Sequence, residues 1–106
     1  MSYTTVNYEE VDPVGDAMHF LRDPLECDQL GVTVLTPEPG WTGMEHDHAD
    51  EGQEEVYVLV EGEATVVIDG EELPMEAGDA VRIAPEATRQ IRNGDVESTF
   101  VLAGAP

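Results

Sequence analysis

Apolar residues fall along the chain in short bursts, each closed by a turn signal. The bursts are Leu30 to Thr36, Val56 to Val60, Ala64 to Ile68, Ala80 to Ile83, Arg89 to Arg92 and Thr99 to Leu102. Runs this short, rich in β-branched residues and bounded by glycine, proline and aspartate, predict the strands of an all-β sandwich or barrel. The breaks fall at Pro37-Glu38-Pro39-Gly40, Glu61-Gly62-Glu63, Ala77-Gly78-Asp79 and Asn93-Gly94-Asp95. Asp69-Gly70 sits between Val66-Val67-Ile68 and Leu73, the pattern of a two-residue hairpin. Helix signals are weak. Asp16 to Leu25 reads as a short helical turn that stops near Pro24, and Ala49 to Glu54 as an acidic loop. The final residues, Ala103 to Pro106, read as a frayed tail.

With 106 residues the chain suits one domain, residues 1–106, with a single core. There are 24 acidic residues against four basic ones, for a formal net charge of −20. All four cations are arginines: Arg22, Arg82, Arg89 and Arg92. Such a charge often accompanies disorder, but the apolar bursts are too regular for that reading. Self-repulsion of this size destabilises a compact state in dilute buffer, whereas molar salt shortens the Debye length to about 3 Å and screens it. The composition therefore points to the cytoplasm of a halophile. Four arginines cannot build a basic patch, which argues against nucleic acid as a partner. No long apolar run suggests a membrane span, and no signal segment is visible. Cys27 is the only cysteine, which excludes an intrachain disulfide and suits a small buried hydrophobe.

Candidate chemistry concentrates in one stretch. His46 and His48 are two apart, so a strand would place both imidazoles on one face, together with Met44. Glu55 opens the next apolar burst, with Tyr57 following on the same side. Two histidines and a carboxylate from a neighbouring strand supply three ligands and leave coordination positions open. That donor set suits a divalent transition metal such as iron, manganese, nickel or zinc.

The same stretch resembles the first motif of the cupin superfamily, with Gly40, His46, His48, Glu55 and Gly62 in the motif's places. Six residues separate His48 from Glu55, about two more than usual, which makes Glu54 a competitor for the ligand role. Gly78 to Asn93 resembles the second motif in length, but Ala84 and Glu86 stand where proline and glycine are usual, and Arg89 stands in the histidine slot. The resemblance covers residues 40–93. It implies a small jelly-roll (double-stranded β-helix) barrel, a small-molecule ligand, and a homodimer in which Tyr3 to Tyr8 pairs with a partner.

Arginine carries no free lone pair and cannot replace the histidine as a ligand. Either Arg89 turns inward and pairs with Glu55 or Glu54 in a charge-assisted hydrogen bond, or it swings away and leaves three ligands with an open site. Three functional readings are open. In one, His46, His48 and Glu55 hold a metal for an enzyme acting on a small molecule. In another, the barrel binds a small, anionic ligand without metal, with Arg89 as anchor and Tyr57 and Met44 as walls. A barrel with a purely structural role is the third.

Overall fold

The computed structural model describes residues 2–106. A 3-10 turn at Tyr8–Glu10 precedes eight strands. These are β1 (Met18–Phe20), β2 (Gly31–Leu35), β3 (Glu54–Glu61), β4 (Glu63–Ile68), β5 (Glu71–Glu76), β6 (Ala80–Ile83), β7 (Arg89–Asn93) and β8 (Thr99–Ala105). They form two antiparallel sheets, one ordered β1-β2-β8-β3-β6 and the other β5-β4-β7. This is the jelly-roll arrangement of an all-β cupin-type barrel.

Alternation along the strands builds the core. Tyr57 and Leu59 of β3 stand opposite Leu102 and Phe100 of β8, and Phe100 is opposite Leu35 of β2. From the other sheet, Val66 and Ile91, themselves paired, meet these side chains. Such interdigitation of two inner faces is what a two-sheet core requires.

The turns obey their residues. Asp69 and Gly70 have φ of 50° and 82°, the left-handed pair that a two-residue hairpin needs. Gly62, at φ 95°, joins the two sheets where a Cβ would overlap Ser98 Oγ and the Glu97 carbonyl, so only glycine fits. Asn93 fastens the same corner. Its Nδ2 donates to the carbonyls of Pro37, Glu38 and Val96, and its Oδ1 accepts from Ser98 Oγ at 2.6 Å.

Two sequence expectations are corrected, while β5 bears out the hairpin read at Asp69-Gly70; its Pro74 is tolerated because β5 is the outer strand of its sheet and an edge tolerates a missing N–H. Met18–Phe20 is a strand, and the helical turn is confined to residues 21–27, where Leu25 N–H donates to Leu21 O and Cys27 N–H to Arg22 O. Ala103–Ala105 is not frayed: β8 lies between β2 and β3, with Gly104 paired to both Gly31 and Glu55. Within one chain, Tyr3 to Tyr8 joins neither sheet and leads into the 3-10 turn.

Candidate functional site

The stretch between β2 and β3 lies along the free edge of β7. Asn93 N–H donates to Trp41 O (2.8 Å), Gly43 N–H to Ile91 O (2.9 Å), and His46 and Arg89 exchange both main-chain hydrogen bonds (3.0 and 2.8 Å). Between the bridges Thr42–Arg92 and His46–Arg89 the histidine side has one residue more than the β7 side. An extra residue of this kind is a bulge, and it reverses the alternation of side chains beyond it. Trp41 and Gly43 therefore line the barrel interior before the bulge, and His46 and His48 after it. Met44, expected to share the histidines' face by simple alternation, sits at the bulge and is 83% exposed at the rim.

His46, His48 and Glu55 bring one ligand atom each to within 4.8 Å of the others. His48 Nε2 is 3.0 Å from Glu55 Oε1. His46 Nδ1 is 3.0 Å from the Met44 carbonyl, which can only accept, so that nitrogen carries the proton and Nε2 holds the lone pair. His48 Nδ1 is buried without a hydrogen-bond partner, its nearest carboxylate oxygen being Glu51 Oε1 at 3.7 Å. The two rings meet edge to face, 5.0 Å apart. Glu54 lies on the outer face, exposed and paired with Arg82 at 3.4 Å, which leaves Glu55 as the carboxylate that faces inward.

Arg89 is fully buried, and each of its guanidinium nitrogens is engaged. Nη1 donates to Glu55 Oε1 (2.9 Å), Nη2 to Ala84 O (2.7 Å) and Nε to Ala87 O (3.0 Å). The two carbonyls belong to the turn in which Ala84 and Glu86 replace the usual proline and glycine. The arginine points behind Glu55 into the protein and does not line the cavity. Tyr57 completes the group. Its buried hydroxyl is 3.5 Å from Glu55 Oε1, and burial first, then the Glu55 charge, raises its pKa well above the ordinary tyrosine value.

The cavity measures about 410 Å³. Its walls are mostly apolar, with Met18, Phe20, Leu35, Trp41, Ile91 and Leu102 prominent, and the histidines, Glu55 and Gln53 form a polar patch. A chamber of this size with a few convergent polar groups is the usual form of a small-molecule site. Sequence patterns do not single out Phe20, Arg22 or Gln53. The helical reading of Asp16 to Leu25 hides the first two, and the acidic loop hides Gln53.

A family model described as Cupin domain matches residues 33–104. No curated protein matches the chain. A crystal structure of a cupin protein from Bacteroides fragilis is 29% identical with a TM-score of 0.77, covering 95% of this chain and 86% of that one. A sugar phosphate isomerase from a cupin superfamily, from Silicibacter pomeroyi, is 30% identical with a TM-score of 0.72. That match covers 84% of this chain but only 58% of the isomerase. A Cupin 2 conserved barrel domain protein from Salinispora arenicola, 21% identical, has the same fold over all of this chain and 89% of its own, at a TM-score of 0.78.

Proposed function

Because the chain belongs to the cupin domain family, we propose that it is a metal-dependent enzyme acting on a small molecule, with His46, His48 and Glu55 as the protein ligands. One observation carries this reading: the three donor atoms converge on the cavity wall within 4.8 Å. The imidazoles fit the role. Ligating histidines typically turn their second nitrogen to an oxygen acceptor, and here His46 Nδ1 meets the Met44 carbonyl while His48 Nδ1 is orphaned beside Glu51. With Nε2 as the ligating atom of His48, its Nδ1 carries the proton and Glu51 becomes its acceptor. A bound divalent ion, with iron or manganese favoured by the two-histidine-one-carboxylate set, would act as a Lewis acid on a substrate oxygen.

The chain's own residues prepare the site around that centre. Arg89 holds the Glu55 carboxylate in one orientation with a charge-assisted hydrogen bond. The Tyr57 hydroxyl stays protonated and directs its hydrogen to Glu55. Trp41, Phe20 and Leu102 give the rest of the chamber an apolar lining. Such walls suit a ligand with an apolar body better than a polyhydroxylated sugar, the class named for the Silicibacter relative. The metal-free alternative, with Arg89 as anion anchor, has less support because the arginine's nitrogens already donate to protein oxygens.

Elemental analysis of untagged protein purified without chelator is expected to find close to one transition metal per chain. A protein that contains none, and takes up none on reconstitution with iron, manganese, nickel or zinc, overturns the metal reading.

The same proposal places the protein as a homodimer in the cytoplasm of a halophile. The outer face of the five-stranded sheet supports self-association: Val32, Val34, Val56, Val58, Val101 and Ala103 lie on paired positions there. No carboxylate interrupts these six positions, on a chain of net charge −20. Folded structure, followed by circular dichroism with light scattering, is expected to be lost as salt is lowered to tens of millimolar. An unchanged spectrum across that range sinks the halophile reading, and a monomeric mass in high salt sinks the dimer.

A further inference from the structure

The four arginines do not share one fate. Arg82 pairs with Glu54, Arg89 with Glu55 and Arg92 with Glu72. Among the described residues Arg22 is the only arginine without a carboxylate partner, although 24 acidic residues compete for it. Its Nη2 donates to a main-chain carbonyl, that of Asp28, at 2.7 Å. Arg22 also lines the cavity, and among the described residues no other arginine does.

Its position relative to the metal ligands comes from register. Met18, His19 and Phe20 pair with Leu35, Val34 and Thr33, and the Leu21 N–H to Val32 O bond (2.9 Å) continues the series, setting Arg22 beside Gly31. Gly31 pairs with Gly104, and Gly104 with Glu55. Gly31, Gly104 and Glu55 thus share one rung of the sheet, and Arg22, exposed in the turn that follows β1, sits off the Gly31 end of it, about three strand spacings or 14 Å of main chain from Glu55. The two positions between them are glycines, and the Gln53 side chain lies over them. A Cβ at Gly104 would come within 2.9 Å of both Gln53 Nε2 and Glu55 Cγ, and one at Gly31 within 3.5 Å of Gln53 Nε2. The rung is a floor surfaced by the Gln53 amide, with a cation toward one end and the histidine-carboxylate group at the other.

We infer that the cavity takes a small molecule with two polar ends, an anionic oxygen group bound by Arg22 and a second group presented to His46, His48 and Glu55 across the Gly31–Gly104 floor. This rests on the metal reading. Arg22 is then a specificity-determining residue. A carboxylate or phosphate meets the guanidinium in fork geometry, and in a protein of net charge −20 that cation offsets the repulsion an anionic ligand would meet.

The test uses the zinc-loaded protein in about 0.5 M salt, where screening reaches about 4 Å, with Trp41 fluorescence as reporter. The probes are monohydroxamates of dicarboxylic acids with four to six carbons, each paired with its methyl-ended counterpart. Both members of a pair share a metal-chelating head and differ only in the distal charge. At least one carboxylate probe is expected to bind tenfold or more tightly than its neutral partner. In Arg22→Gln that preference disappears, while zinc content and affinity for the neutral probes are unchanged. Equal affinities in the wild type, or a preference that survives in Arg22→Gln, overturns the inference and leaves the metal reading standing. A wild type that takes up no zinc is loaded with iron, manganese or nickel instead, and one that takes up none of the four overturns both; elemental analysis before any probe is added tells that case apart.

Discussion

Arg89→Met is expected to destabilise the fold by about 3–5 kcal/mol, the range for breaking one side of a buried ion pair. The guanidinium is fully buried and satisfies three acceptors at once: Glu55 Oε1, Ala84 O and Ala87 O. Methionine fills much of the volume but leaves two carbonyls unpaired and the Glu55 charge without its cation. Domains of this size have total stabilities of about 5–15 kcal/mol, so the loss is a large share. The melting temperature should fall by more than about 12 °C. Arg89→Lys keeps the charge, but an ammonium cannot match the fork that serves these acceptors, so its stability should lie between wild type and Arg89→Met. The double variant with Glu55→Gln removes both charges and should recover part of the loss. Denaturant unfolding of chelator-treated protein at fixed salt measures all four. A loss below about 1 kcal/mol for Arg89→Met would mean that the pair is solvated and not buried.

His48→Ala is expected to weaken metal binding by more than about a hundredfold, since even the groups that merely orient a ligand cost about 10–100-fold. His48 contributes the nitrogen nearest the carboxylate, 3.0 Å from Glu55 Oε1. Glu55→Gln should weaken binding as well, without emptying the cavity wall. Glu54→Gln is the control. That residue faces outward to Arg82, so its loss should leave affinity unchanged. Competition against a chelator of known affinity gives the three values, and circular dichroism checks that each variant folds. Full stoichiometry and wild-type affinity in His48→Ala would remove it from the ligand set.

The strands that build the core can be read from sequence because their burial is two-sided or alternating. Val56 to Val60, Ala64 to Ile68 and Ala80 to Ile83 all lie within strands. The misses share a cause: in each, the signal is tertiary. β5 buries only Met75 and contains Pro74, so the Asp69-Gly70 hairpin predicts it but its extent shows only in the pairing with β4. Met18–Phe20 is three residues long and gains its strand character only from pairing with β2. Ala103–Ala105 is small and glycine-bearing, yet it lies between two strands. At the site, the spacing of His46 and His48 identifies two of the residues that meet, and the register of Glu55 with Gly104 separates it from Glu54. The bulge that turns Met44 to the rim has no local signature, because it depends on how the histidine stretch aligns with β7. Arg89 stands out as an odd residue in its slot. That it turns behind Glu55 depends on the carbonyls of the 84–87 turn, which no local pattern announces.

The central place of β8 has a consequence for biosynthesis. β2 and β3 emerge from the ribosome well before the strand that must lie between them. Until it arrives, each presents an unpaired edge of alternating valines to its surroundings, the feature that templates association between nascent chains.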